Sequence, residues 1–365
     1  MRLRSSPTSF IALSALLTAA VFVAYSAWAG PLDPPAGAVA PTMKTLVEVE
    51  PRIAVNATNT PGDASSLFKI TQPGSYYLTG NITGVVGKHG IAIVASGVTL
   101  DLNGFDVAGV AGSLDGVSVT VNGVRNIAVV NGSVRNWGGD GLDLQPFGVS
   151  NCRLSDVLAS FNTGNGLFIG VGCTVTNCSA QDNITDGINT AVGCAVSNCT
   201  ALNNTGNGIT LGGSSTLVNC TAFGNLSHGI STNTSSGTGS VIADCAARLN
   251  SLDGIRCVAG CVIRGNSCTF NGNSGAGGAG IHATGADNRV EGNDCTTADR
   301  GIEIDVAGNI IIRNTCAGNT IDWVIAANNV FGPIIDRRAP ASAAVSGFTA
   351  ASTLGSTDPN ANYSY

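Results

Sequence analysis

Asn198 to Leu211 reads NCTALNNTGNGITL. The same phrase stands before it as NCSAQDNITDGINT from Asn177 and after it as NCTAFGNLSHGIST from Asn219, at a spacing of 21 residues. Working outward, a Gly followed by Ile, Val or Leu marks one phase of the repeat at Gly90, Gly116, Gly141, Gly166, Gly187, Gly208, Gly229, Gly254, Gly280 and Gly301. Periods of 20–50 residues belong to stacked architectures. Within each copy the apolar positions alternate, as in Val98, Leu100 and Leu102 with Thr99, Asp101 and Asn103 between them. Period two, with β-branched residues inside and Gly or Asn at the breaks, specifies strands rather than helices.

Each copy therefore holds two or three short strands and closes one coil. Stacking coil on coil pairs like strands in parallel, which gives an all-β parallel β-helix of about ten coils. At one strand spacing per coil the stack is on the order of 50 Å long. Intervals of 25 and 26 among those of 21 are read as loops of four or five extra residues on one side. Asn162, Asn183, Asn204, Asn225 and Asn250 all lie four residues before a repeat Gly. In register, each amide is expected to donate to one coil and accept from the next, and to tolerate a left-handed corner. The Gly is expected to supply positive φ or close approach.

The ends read differently. Residues 1–29, with Arg2 and Arg4, an apolar run from Phe10 to Val23 and Ala27-Trp28-Ala29, have the layout of a cleaved secretory signal peptide. Residues 30–62 form a Pro-rich leader, 63–330 the β-helix, and 331–365 a C-terminal cap and mobile tail. Ser65 to Gly84 is read as the N-terminal cap of the stack. The chain has 17 Lys and Arg against 23 Asp and Glu. Cleavage removes two arginines and no acid, so the mature chain carries 15 against 23. Only three lysines occur, none after Lys88, so the concentrated positive charge that a phosphate-binding surface needs is missing, and neither nucleic acid nor an anionic membrane is an expected partner. No later apolar run is long enough to cross a bilayer. The expected setting is exported: extracellular, cell surface or periplasmic.

Twelve cysteines in an exported chain admit two readings: disulfides, or small core residues stacked coil above coil. For disulfides the candidate pairs are Cys257 with Cys261 and Cys173 with Cys194.

The phrases SYYLTGNITG (75–84) and SGVTLDLNGF (96–105), the recurring DGI and NGI coils and the NCTA turns resemble bacterial secreted right-handed parallel β-helix repeat proteins of the pectin-lyase-like fold. The resemblance spans about Asp63 to Val330 and implies a right-handed coil. That superfamily includes polysaccharide lyases, polygalacturonase-type hydrolases and alginate epimerases, beside members without known activity. None of their catalytic motifs is present: no paired-Asp pattern flanked by Gly-His-Gly and Arg-x-Lys, no Arg-x-Pro-x-x-Arg, no Asp-Pro-His-Asp.

Stacking turns the linear repeat into files. The residue before each repeat Gly runs Asp140, Asn165, Asp186, Asn207, His228, Asp253, and the residue two after it runs Asp143, Phe168, Asn189, Thr210, Ser231, Arg256, His282, Glu303. These files should gather His228, Asp253, Arg256, His282, Arg300, Glu303 and Asp305 into one patch. Arg256, His282 and Glu303 are candidate catalytic residues, since a uronate-directed lyase or epimerase requires a base and a cation against the carboxylate. His228, Asp253, Arg300 and Asp305 are candidate ligand-binding residues. No motif demands a cofactor; Ca2+ is the ion that Asp253, Glu303 and Asp305 could hold. The bland alternative is an ordinary solvated outer face with Asp and Asn chosen for the turn, and it applies equally to a second acidic spot at Asp140 and Asp143. Trp137 and Trp323 suit either sugar stacking or anchoring.

The expected function is a monomeric, exported β-helix protein with a binding or structural role at the cell envelope or outside the cell. Its expected partner is polysaccharide or another envelope component. The alternative is a lyase, epimerase or hydrolase of an acidic polysaccharide.

Overall fold

The protein is described by a computed structural model covering residues 50–232, 238–272, 277–336 and 357–365. The expected signal peptide, the leader up to residue 49 and residues 337–356 of the tail lie outside the described residues. From Arg52 onward the chain is a parallel β-solenoid, and every regular element among the described residues is a strand.

One face is a ladder of twelve parallel strands, from Ser66–Ile70 to Ile321–Ile325. Its register aligns Leu142, Leu167, Ile188, Ile209, Ile230, Ile255, Ile281 and Ile302 in one buried file, so the Gly-apolar marks stack directly. The other two faces form a 24-stranded sheet, joined where Ala128–Arg135 and Arg153–Ser160 run through both. There are thus about twelve turns, two more than the Gly marks indicate. Ser65 to Gly84, expected as a cap, is the first full coil: Ser66–Ile70, Gly74–Tyr77 and Ile82–Thr83 each pair with the next coil. At the far end Asp322 replaces Gly opposite Gly301. A Cβ at a repeat Gly collides with the following coil, and the last coil has none to collide with.

That collision is what the repeat glycines avoid. A Cβ on Gly187 would lie 2.7 Å from the Gly208 carbonyl oxygen and 2.6 Å from Asn204 Nδ2, and none of the repeat glycines has positive φ. The left-handed corner residue is instead the one immediately before each ladder asparagine, such as Asp182 and Asn203, both at φ 53°.

The asparagine ladder runs from Asn162 to Asn271. In each step one Oδ1 accepts both the backbone N–H and the Nδ2 of the preceding coil's asparagine, at 3.1 and 2.9 Å from Asn183 to Asn204, while Asn183 Nδ2 also donates to the Ala159 carbonyl. A buried polar side chain must be fully paired to be tolerated, and here every rung pairs the next.

Cys173, Cys194 and Cys220 perform the same task at the other two corners. The amides of Cys152 and Cys173 donate to Cys173 Sγ and Cys194 Sγ at 3.3 and 3.4 Å. The file continues with Ser215 Oγ and Ser240 Oγ as acceptors, and later with Asn288 receiving the Cys261 amide at 2.8 Å. At the third corner Cys199 donates to Cys220 Sγ, Cys245 to Asn266 Oδ1, and the file ends on Asn293, Asn314 and Asn362. None of the twelve cysteines is in a disulfide, including the pairs Cys257 with Cys261 and Cys173 with Cys194. Burial pushes the Cys257 and Cys295 thiols well above their ordinary value, which keeps them protonated and inert.

Both ends of this stack are covered. Ile53–Ala54 pairs with Tyr76 and Tyr77, and Pro61 bridges antiparallel to Phe68. At the C-terminus Asn362–Ser364, expected as mobile tail, pairs with Ile334–Asp336 and with Thr315 and Cys316, and Trp323 Nε1 donates to Ser364 Oγ at 2.9 Å. Trp137 is a core anchor, 1% exposed, its Nε1 donating to the Val107 carbonyl. The insertions do not fall on one side. Register places one between Thr232 and Val241 and another between Asn271 and Ala279, at the two corners that flank the twelve-stranded ladder.

Candidate functional site

The twelve-stranded ladder carries two outer files, and both follow the register expected from sequence. In the strand file Asp143, Phe168, Asn189, Thr210, Ser231, Arg256, His282 and Glu303 are successive partners. In the turn file, at the residue before each repeat Gly, each side chain accepts the backbone N–H of the next coil's residue. The Asp140 amide donates to Asp115 Oδ1, Asn165 to Asp140, Asp186 to Asn165, Asn207 to Asp186, His228 to Asn207, Asp253 to His228 Nδ1, and Ala279 to Asp253 Oδ1. The file begins one coil earlier, where His89 Nδ1 receives the Asp115 amide at 3.2 Å. These side chains are first of all turn acceptors. His228 stands where other coils put Asn or Asp, because a bare imidazole nitrogen accepts in the same way.

Near the C-terminal coils the two files meet. Asp253, 4% exposed, holds Oδ2 at 3.1 Å from His282 Nδ1 and 3.1 Å from His228 Nδ1. His228 Nδ1 serves one partner at a time: bare, it accepts the Asp253 amide; protonated, it donates to the Asp253 carboxylate. His282 Nε2 lies 3.0 Å from Asp305 Oδ2 and 3.9 Å from Glu303 Oε2, and Arg300 Nη1 donates to Glu303 Oε2 at 2.9 Å. Burial opposes the charged form of both central groups, yet the pairing outweighs it. The two imidazoles and the Ala279 amide hold the Asp253 carboxyl well below the usual carboxylate range, and Asp253 with Asp305 raise His282 above its ordinary value.

The structure thus brings together Asp253, His282, Arg300, Glu303 and Asp305, with His228 attached through Asp253. Arg256 sits beside His282 in register but no ion pair links it to these carboxylates. Of the proposed calcium ligands, Glu303 and Asp305 share a locus with His282, whereas Asp253 is on the far side of the imidazole. Asp305 is the most open member, its side chain 43% exposed.

The second acidic spot is larger than Asp140 and Asp143. It includes Asp115 and His89, whose Nδ1 lies 3.1 Å from Asp115 Oδ2. Burial first, then the like charges of Asp115 and Asp143, push Asp140 up to about 6 against the Asn165 donors. Burial likewise raises Asp143. The sequence signal for His89 and Asp115 was present, since each precedes a repeat Gly, at Gly90 and Gly116. Two depressions of about 390 and 430 Å3 lie elsewhere, on the 24-stranded sheet; one is lined by Asn131, Asp156 and Asn177, the other by Asn219, Asp244 and Ser267.

The continuous parallel rungs and buried amide ladders define an all-β parallel β-helix fold, consistent with a right-handed coil. The profile of a right-handed β-helix region matches residues 115–294. Among solved structures, the chain is similar to the A-modules of two Azotobacter vinelandii mannuronan C-5 epimerases. The match to AlgE6 is 17% identical, covers 71% of this chain and 89% of that one, and has a TM-score of 0.55. That to AlgE4 is 16% identical, covering 71% and 91%, with a TM-score of 0.52. The Dettilon tailspike protein gp208 is 14% identical over 74% of this chain and 60% of its own, with a TM-score of 0.50. At these identities the likeness is one of fold. No curated protein matches the sequence. Among the described residues no helix is long and apolar enough to cross a membrane.

Proposed function

We propose that this protein is an exported polysaccharide-binding β-helix, and that it binds along the twelve-stranded face at the coils carrying Asp253, His282, Arg300, Glu303 and Asp305. One observation carries the reading: the register sets hydrogen-bonding and charged side chains in line, one coil apart, on a single face. A polymer of hydroxyls and carboxylates is met by such a row, with Arg300, Arg256 and His282 as the cationic members. The N-terminal secretory pattern supports export. The mannuronan epimerases among the structural neighbours support a saccharide as the ligand class.

A second reading, polysaccharide lyase or epimerase, is favoured by His282, whose imidazole is gripped by carboxylates at both nitrogens as an acid–base group would be. Affinity electrophoresis through gels containing alginate, pectate or neutral glucans tests binding, and absorbance of unsaturated ends with proton NMR of the uronates tests chemistry. Retardation by an acidic polymer that His282→Ala with Glu303→Gln abolishes is expected. Equal mobility in every gel sinks the binding proposal; new unsaturated ends or altered uronates establish the enzymatic one.

A further inference from the structure

We infer that His282 Nε2, Glu303 and Asp305 form a binding site for one divalent first-row transition ion, with Asp253 holding the imidazole from behind. Three observations lead there. The ligand atoms of His282, Glu303 and Asp305 all lie within 4.8 Å of one another, the one such group among the described residues. Parallel pairing explains this: His282 and Glu303 are register partners on Ala279–Ala283 and Arg300–Ile304, and Asp305 follows two residues on, from the same side of its chain.

The second observation is the buried carboxylate. Asp253 is 4% exposed, its Oδ1 is fixed by the Ala279 amide at 2.8 Å, and its Oδ2 faces His282 Nδ1 at 3.1 Å. In the neutral imidazole that donates its Nδ1–H to Asp253, Nε2 carries the lone pair and is directed at Glu303 and Asp305. Metal-ligating histidines are oriented in this way, the rear carboxylate fixing the tautomer and raising the basicity of the ligating nitrogen. Third, the charges are unbalanced. With the His228 and His282 imidazoles neutral, the carboxylates of Asp253, Glu303 and Asp305 face one paired guanidinium, that of Arg300 on Glu303, so a dication replaces repulsion with attraction.

The donor set decides the class of ion. Ca2+ takes six to eight oxygens, and Mg2+ keeps an octahedron of oxygens and waters. One imidazole with two carboxylates matches Zn2+, Co2+ or Mn2+. Three protein ligands, with Asp305 half-exposed, leave coordination positions open, as in sites that take a further oxygen ligand. Under the polysaccharide reading that ligand is a carboxylate or hydroxyl pair of the polymer, and only this last step rests on it.

The test uses the untagged full chain, stripped with EDTA and desalted. Calorimetric titration with Zn2+, and the visible absorption of added Co2+, should each give one ion per chain. The Co2+ bands should have the intensity of a site of low coordination number. His282→Ala and Asp305→Asn should each weaken Zn2+ binding by more than about tenfold, and Asp253→Asn by about 10–100-fold. His89→Ala, which alters the separate His89–Asp115 pair, should leave the titration unchanged. Circular dichroism of each variant checks the fold, and the half-exposed Asp305 gives a variant without a core defect. Absence of Zn2+ and Co2+ binding, binding indifferent to His282→Ala, or a site preferring Ca2+ over Zn2+ would each overturn the inference. Zn2+ binding without retardation in any polysaccharide gel would uphold it while removing the saccharide reading.

Discussion

The inner asparagine ladder and the outer turn file solve one problem in two ways. Both satisfy a corner by letting a side chain accept the N–H of an adjacent coil. The inner ladder, buried throughout, is Asn at every step from Asn162 to Asn271. The outer file, half-buried from His89 to His228 and closing on the buried Asp253, uses His89, Asp115, Asp140, Asn165, Asp186, Asn207, His228 and Asp253 for the same bond. A neutral amide both donates and accepts, so it can fill a dry file without leaving a charge or an orphan. Where water reaches, any acceptor of about the right length serves, and charged or titratable ones are admitted. Chemistry has room only in the second file.

That contrast can be broken by exchange. The largest effect is expected for Asn204→Ala, which leaves the Asn183 amide and one of its two Nδ2 protons without an acceptor in the core and should cost about 3 kcal/mol or more in urea unfolding. Asn207→Ala, three residues away in the outer file, should cost under about 1 kcal/mol; equal losses would dissolve the distinction.

Next comes pH. Asp140 holds its proton up to about 6 when folded, against an ordinary value of 3.8, so its stabilising contribution is full below pH 4 and is lost as pH rises through 6. The melting temperature of Asp140→Asn should therefore exceed that of the wild type at pH 7 by more than at pH 4. The difference sharpens the claim that the outer file tolerates ionisable groups at a cost.

Smaller still, Cys194→Ser should lie within about 1 kcal/mol of wild type, because Ser215 already does the same work one coil on, whereas Cys194→Ala leaves the Cys173 amide without an acceptor. Thiol titration in denaturant without reductant should find twelve groups. The smallest effect is that of His228→Asn, within about 0.5 kcal/mol, since Asn165 and Asn207 hold equivalent places. A large loss there would mean that the His228–Asp253 ion pair, not the turn bond, is what matters.

Much of this was legible in the chain. The Gly-apolar marks at 21 to 26 residues dictated the ladder register, and with it the adjacency of Arg256, His282 and Glu303. The first and last coils were missed because Leu67 and Asp322 stand where the mark should be. His89 and Asp115 were passed over although they occupy the file. At the fixed phase that could bring cysteines of successive coils together, Cys173, Cys194 and Cys220 stand instead as free thiols accepting the amide of the preceding coil.

Periodicity by itself determined that this protein is a stack and which residues share a file, because a repeat of fixed length can satisfy its backbone only against its own copies. Which member of each file faces a bare nitrogen, a carboxylate or a neighbouring amide was decided by the tertiary structure alone. Those choices depend on side-chain reach across the gap between coils, as Asp253 shows by meeting two histidines from different coils, and spacing along the chain carries no record of that distance.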